Sequence, residues 1–192
     1  FANSGTEAVM MALKAARAFT GRPKIAKCEG AYHGSYDYAE VSLDPTPEAW
    51  GRNAPVSVAY AKGTPDNVLA DVLTIPFNNP EAAVSLIREH GPELACVLVD
   101  PMPNRAGLVP ADKAYIEALR AVTREVGALL VFDEVISFRL GYHGAQGLWD
   151  ADPDLTALGK IMGGGFPVGA IGGRTEVMAV FDPRHGKPAL PH

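Results

Sequence analysis

Lys160 stands in the stretch from Leu155 to Gly173, which is apolar and dense in glycine. A lysine ordinarily keeps its ammonium in water. Among Leu, Ile and Met it is costly to keep charged, because desolvation lowers its pKa. A neutral amine of this kind attacks carbonyls and forms Schiff bases. The alternative is a surface lysine on a glycine-rich turn. Ser4-Gly5-Thr6 opens a helical pattern. A helix start offers free N–H groups and a positive dipole end, and small residues let an anion approach, so these three form a candidate phosphate cradle. An ordinary capped helix is the other reading. Tyr32-His33-Gly34 follows a strand-like run. Tyr32 can offer a ring face to a flat ligand and His33 a hydrogen bond, or the pair can be a half-buried turn. Asp133-Glu134-Val135 follows a buried apolar run, where Asp133 either serves a ligand or caps the strand. Asp100 is in a similar place, and there capping or pairing is expected.

The elements that must carry these residues are legible from periodicity and punctuation. Ser4 and Glu7 have capping-box spacing and Gly21 is a stop signal. Between them Ala8, Met11, Ala12, Ala15, Ala16 and Phe19 recur at helical spacing and should face the core. Strands are expected over Pro23–Cys28, Asp71–Pro76, Leu94–Val99, Gly127–Phe132 and Gly169–Gly172. Helices are expected over Pro80–His90, Asp112–Val126 and Glu176–Phe181, with Tyr115, Ile116, Leu119 and Val122 on one buried side. Strands alternating with helices imply βαβ units, a mainly parallel sheet and a three-layer α/β/α fold. Ligands in such folds bind at the C-terminal strand ends. Ser35 to about Pro65 is irregular and proline-rich, either an active-site cover or a surface excursion.

The 192 residues are enough for one sizeable core, at 47% hydrophobic and 20% charged. A net charge of -5 without a basic cluster argues against nucleic-acid binding. No run reaches the apolar length of a membrane span, and no metal-ligand spacing is present. Cys28 and Cys96 lie beside apolar residues and are expected to be reduced core residues of a cytoplasmic protein. The chain begins without methionine and ends without a terminating element, which suggests an internal fragment.

Asn3-Ser4-Gly5-Thr6-Glu7-Ala8, Tyr32-His33-Gly34, Phe132-Asp133-Glu134-Val135 and Leu158-Gly159-Lys160 occur in one order. Each is weak alone, but the ordered set resembles the class III aminotransferases of the fold-type I pyridoxal-phosphate enzymes. The glutamate-1-semialdehyde aminomutase-like branch is especially similar. The resemblance covers nearly the whole chain. It implies pyridoxal 5'-phosphate as cofactor, with Lys160 forming the internal aldimine and then moving a proton, and Asp133 pairing with the pyridine nitrogen. It implies that Ser4, Gly5 and Thr6 bind the phosphate, that Tyr32 and Val135 hold the two ring faces, and that His33 belongs to the wall. It further implies a homodimer with small-molecule amino donor and acceptor, and a chain that is part of the cofactor-binding large domain. The N-terminal segment and the C-terminal small domain would lie outside it, so this chain alone should be poorly active. Transamination, intramolecular amino transfer and a non-catalytic binding module on the same fold are the three readings. Three segments depart from the pattern: Asp100 stands where the family has Glu, with Asn104-Arg105 where one polar amide is expected; Ile136-Ser137-Phe138-Arg139 is one residue shorter than the usual continuation through Thr-Gly-Phe-Arg; and Ser35-Tyr36-Asp37 stands where the aminomutase has His-Ala-Asp.

Overall fold

A computed structural model describes residues 1–51 and 53–191. Arg52, within the stretch expected to be irregular, and the terminal His192 lie outside the described residues. In chain order the elements are α1 (Gly5–Thr20), β1 (Lys24–Cys28), α2 (Asp37–Glu40), α3 (Asp66–Ala70), β2 (Val72–Ile75), α4 (Pro80–His90) and β3 (Leu94–Val99). Then come α5 (Lys113–Val126), β4 (Leu129–Asp133), α6 (Gln146–Trp149), β5 (Leu155–Leu158), β6 (Ala170–Gly173) and α7 (Thr175–Met178). The six strands form one sheet in the order β2-β1-β3-β4-β5-β6. The first five run parallel, and β6 is antiparallel to β5.

Local chemistry sets the element ends. Ser4 Oγ accepts the Glu7 amide at 3.2 Å and starts α1. The Glu7 carboxylate reaches the Asn3 amide at 2.5 Å, so the capping box is displaced by one residue from the expected Ser4 N–H. Gly21, at φ 69°, closes the helix with its N–H on Arg17 O. Asn79 accepts the Ala82 amide ahead of Pro80 at the start of α4. Gly127, at φ 71°, stops α5.

Both faces of the sheet are covered. On β4, Leu129 and Val131 join one core with α1, while Leu130 and Phe132 join the other with α4 and α5. This is the two-residue alternation of a strand packed on both sides. All six residues of β3 are buried. Each large aliphatic or aromatic side chain removed from water here contributes about 1.5–3 kcal/mol. The expected three-layer α/β/α fold is present. Tyr115, Ile116, Leu119 and Val122 are buried as expected. Phe19 is not: it is 42% exposed in the last turn of α1, beyond the buried run that ends at Ala16.

Other expectations need correction. Leu155–Leu158, read only as an apolar run, is β5. The helix expected over Glu176–Phe181 is a single α-turn followed by a 3-10 turn, Ala179–Phe181. The excursion after Ser35 lies along β1 and β2. Val58 O accepts the Ser42 amide, and Ser57 Oγ donates to Val72 O at 2.6 Å. From β1, Lys27 Nζ donates to Val41 O at 2.7 Å. Cys28 and Cys96 are free and buried, and burial pushes their thiols up to about 11 and about 12.

Candidate active site

The parallel register delivers three functional side chains to one end of the sheet. Val99 on β3 pairs with Phe132 on β4, so Asp100 and Asp133 are the next residues on neighbouring strands. Asp133 pairs in turn with Ala157 on β5, and Lys160 follows two residues after that strand ends. The chain leaving β1 brings Tyr32, His33 and Gly34, and the start of α1 brings Ser4, Gly5 and Thr6. One pocket is lined by all of these together with Val9, Val135 and Ile136. Every site residue expected from the sequence is on its wall.

Close backbone packing holds the cradle. A Cβ at Gly34 would stand 2.5 Å from Thr6 Oγ1 and 2.8 Å from Thr6 Cα. A Cβ at Gly5 would stand 2.9 Å from both methyls of Val135. Thr6 Oγ1 also accepts the Ser35 amide at 3.3 Å. The first-turn N–H groups of Gly5 and Thr6 have no acceptor within the helix by geometry, so they can serve an anion. Ser4 Oγ accepts the Glu7 amide but can still donate its own proton.

His33 and Asp133 form a buried pair. His33 Nδ1 donates to Asp133 Oδ2 at 2.8 Å, and the Val135 amide donates to Asp133 Oδ1 at 3.0 Å. Burial pushes the imidazole below its ordinary pKa, against the pull of its Asp133 partner. The neutral ring then carries its proton on Nδ1, which leaves Nε2 as an acceptor. That Nε2 is buried and has no partner among the described residues. Behind the pocket, Glu134 accepts the amides of Ala145 at 2.6 Å and Gln146 at 3.0 Å. This locks the segment that follows Val135.

Lys160 departs from expectation in one respect. It lines the pocket, but it is exposed rather than desolvated. It is the first residue of a 3-10 turn, Lys160–Gly163, and its φ is 46°. That conformation is uncommon for a side chain of this size. None of residues 36–51 or 53–65 lines the pocket, which favours the surface-excursion reading. The hydrogen bonds of that excursion hold it against the strands instead.

Sequence reasoning assigned Asp100 to capping. It does accept the Met102 amide at 2.8 Å, and it also lines the pocket. The available signal was that β3 and β4 are both apolar runs ending on Asp. Val9, one helical turn after Gly5, and Ile136, next to Val135, were also missed.

Comparison with known proteins agrees with this arrangement. The family model described as "Aminotransferase class-III" matches residues 1–188. Glutamate-1-semialdehyde 2,1-aminomutase of Caldivirga maquilingensis is 48% identical over 185 residues, which is 96% of this chain and 42% of that protein. An omega-transaminase from Sphaerobacter thermophilus superposes with a TM-score of 0.94 at 55% identity, covering 100% of this chain and 44% of the other. A glutamate-1-semialdehyde aminomutase variant from Pseudomonas aeruginosa PAO1, solved in complex with PMP, gives 0.79 at 28% identity, covering 95% and 40%. The chain therefore spans less than half the length of these relatives. By the match along nearly its whole length, it belongs to the class III aminotransferases.

Proposed function

We propose that this chain is the cofactor-binding large domain of a longer pyridoxal-phosphate-dependent aminotransferase. Such an enzyme moves an amino group between an amino acid or amine and an oxo acid or aldehyde. The observation that carries this reading is the single pocket that combines Lys160, Asp133 and the Ser4-Gly5-Thr6 helix start. The residues present fit the cofactor: a carboxylate for a ring nitrogen, an amine for an aldehyde, and glycine-built space beside a helix N-terminus for a phosphate.

Bound there, the cofactor would supply an aldehyde and an electron-withdrawing ring. The Lys160 amine would hold the cofactor at its aldehyde end, and the same amine would move a proton at the substrate carbon that bears the amino group. Asp133 would hold a proton on the ring nitrogen, and His33 would orient Asp133 through its 2.8 Å hydrogen bond. Gly5 and Thr6 amides, with the Ser4 and Thr6 hydroxyls, would anchor the phosphate. Tyr32 and Val135 would hold the ring between them. We further infer a homodimer in the cytoplasm. Exposed Leu140 and Ile161, on the touching 3-10 turns Ser137–Leu140 and Lys160–Gly163, and exposed Tyr142 and Phe166 in the segments after those turns support the first inference, and two buried free thiols support the second. No helix among the described residues is long and apolar enough to cross a membrane.

Borohydride reduction of the full-length protein with pyridoxal phosphate, followed by peptide mapping, should place the cofactor mass on Lys160. Lys160→Ala should lose both that adduct and the visible cofactor band. An adduct elsewhere, or none in the native protein, would overturn the assignment and favour a non-catalytic module. Intramolecular amino transfer remains a second reading because of the 48% identity to an aminomutase. Turnover of glutamate-1-semialdehyde without any amino acceptor would select it.

A further inference from the structure

Asp100 and Asp133 stand side by side on the C-terminal ends of β3 and β4. Each is 4% exposed, and both line the pocket. Their hydrogen-bond partners differ. Asp133 has an N–H donor on each oxygen, from Val135 and from His33. Asp100 Oδ1 has the Met102 amide at 2.8 Å, and no donor among the described residues reaches its other oxygen. Two carboxylates sharing a buried site do not both ionise easily, so one keeps a proton. Donors stabilise the ionised form, so Asp133 is the better anion and Asp100 the better acid.

We propose that Asp100 is a proton-bearing positioning residue: neutral Asp100 leaves Asp133 as the one ionised carboxylate that can meet a ring nitrogen in this pocket. The last clause rests on the cofactor reading above, whereas the location of the proton does not. Burial, and next the charge of Asp133, push the Asp100 carboxyl up to about 7. Glu134 pushes the same way, while the Met102 amide and Lys160 pull it down. Cys28, at the end of β1, is also within electrostatic reach, but its thiol stays neutral. His33 faces Asp133 rather than Asp100 in the described hydrogen bonds. Below neutrality the pair carries one negative charge. Above it Asp100 adds a second carboxylate charge to the same pocket.

The test is an infrared titration of protonated carboxyl groups in the full-length protein without cofactor. In the wild-type minus Asp100→Asn difference, a carboxyl band should persist to about pH 7 and vanish above it. A difference band already lost at the ordinary Asp range, about pH 4, would overturn the proposal. So would a neutral-range Asp titration that remains in Asp100→Asn and disappears in Asp133→Asn. Asp100→Asn retains an acceptor for the Met102 amide, and Asp100→Ser is the second variant should the first fold poorly.

Thermal melting gives a separate readout. A folded-state pKa raised above its unfolded value binds the extra proton in the folded state, so wild-type stability falls as pH rises between the two values. Asp100→Asn lacks this loss. Its melting temperature should therefore gain on the wild type from about pH 4 up to about pH 7 and hold level beyond. A pH-independent gap would mean that Asp100 only braces the Met102 amide, and would overturn the proposal. Failure to bind pyridoxal phosphate would sink the function above yet leave both titrations unchanged.

Discussion

Gly34 has a φ of 90°, where an L side chain is strained, and a Cβ there would run into the backbone of Thr6. The left-handed conformation alone costs about 1–2 kcal/mol in a non-glycine residue. The contact adds to this, because Thr6 Cα belongs to α1 and is not the end of a flexible side chain. Gly34→Ala should therefore lower stability by at least that amount and push the start of α1 away from its seat. Pyridoxal-phosphate affinity should fall tenfold or more, since about 1.4 kcal/mol corresponds to tenfold. A fluorescence titration with the cofactor beside a thermal melt checks both. Unchanged affinity would remove Gly34 from the cradle. At this scale the sequence was most legible where residue type is unusual for its setting. A lone lysine among glycines and a Ser-Gly-Thr helix start stand out without coordinates. Asp100 did not, because an acid after a strand has a local explanation in capping, and its second role depends on a neighbour 33 positions away that only the register reveals. Lys160 lines the pocket but is exposed rather than desolvated, since composition cannot tell which side of a turn faces solvent.

Among the elements, β5 is tied to its neighbours through one polar side chain. Asp154 precedes it and is almost wholly buried. Its carboxylate accepts the Leu130 amide at 2.7 Å, Arg120 at 2.8 Å and Arg174 at 2.6 Å. It thereby ties β5 to β4, α5 and the end of β6, behind the strand that leads to Lys160. Burial pushes this carboxyl up, but the amide and the two guanidinium groups outweigh it and hold the pKa below the ordinary Asp value. Removing one partner of a buried pair costs about 3–5 kcal/mol, and Arg120 is 8% exposed. Asp154→Ala should show that loss as a lower urea midpoint at neutral pH. The pH dependence has a definite sign. A depressed folded pKa gives stability that is complete above the unfolded value, about 3.9, and is lost as pH falls through the folded one. The gap between wild type and Asp154→Asn should thus narrow in acid. A gap constant down to pH 2 would show that the carboxylate charge contributes nothing. The longer elements were readable from periodicity, as α5 and β3 show. The four-residue β5 stayed an apolar run, and the helix expected over Glu176–Phe181 is one α-turn and a 3-10 turn, because so short a run carries few repeats to separate strand, turn and helix.

For the whole molecule, the exposed apolar residues on and after the turns Ser137–Leu140 and Lys160–Gly163 are the feature that composition alone could not reveal. Tyr142 is 96% exposed, Phe166 76%, Ile161 52% and Leu140 46%. Leu140 belongs to a 3-10 turn at Ser137–Leu140 that touches the one carrying Lys160 and Ile161. Single exposed apolar residues are ordinary, but several on adjoining turns mark an interaction surface. The proposed occupant is a second copy of the full-length protein. Ile161 shares the 3-10 turn of Lys160, so association through this patch would act on the turn that carries the lysine. Tyr142→Ser with Phe166→Ser should weaken the dimer. Buried aromatic anchors at an interface are each worth about 2 kcal/mol or more, so the dissociation constant should rise at least 100-fold if both are engaged. Sedimentation velocity across a dilution series measures this directly. The same variant should also lose cofactor more readily on dilution, because Ile161 in this patch is the neighbour of Lys160 in its turn. A dimer that tolerates both substitutions would place the interface elsewhere and leave the exposed lysine to be explained by the chain's own movement. A variant that dissociates yet retains cofactor would instead separate the two roles of this turn, and Lys160 would then be competent in a single subunit.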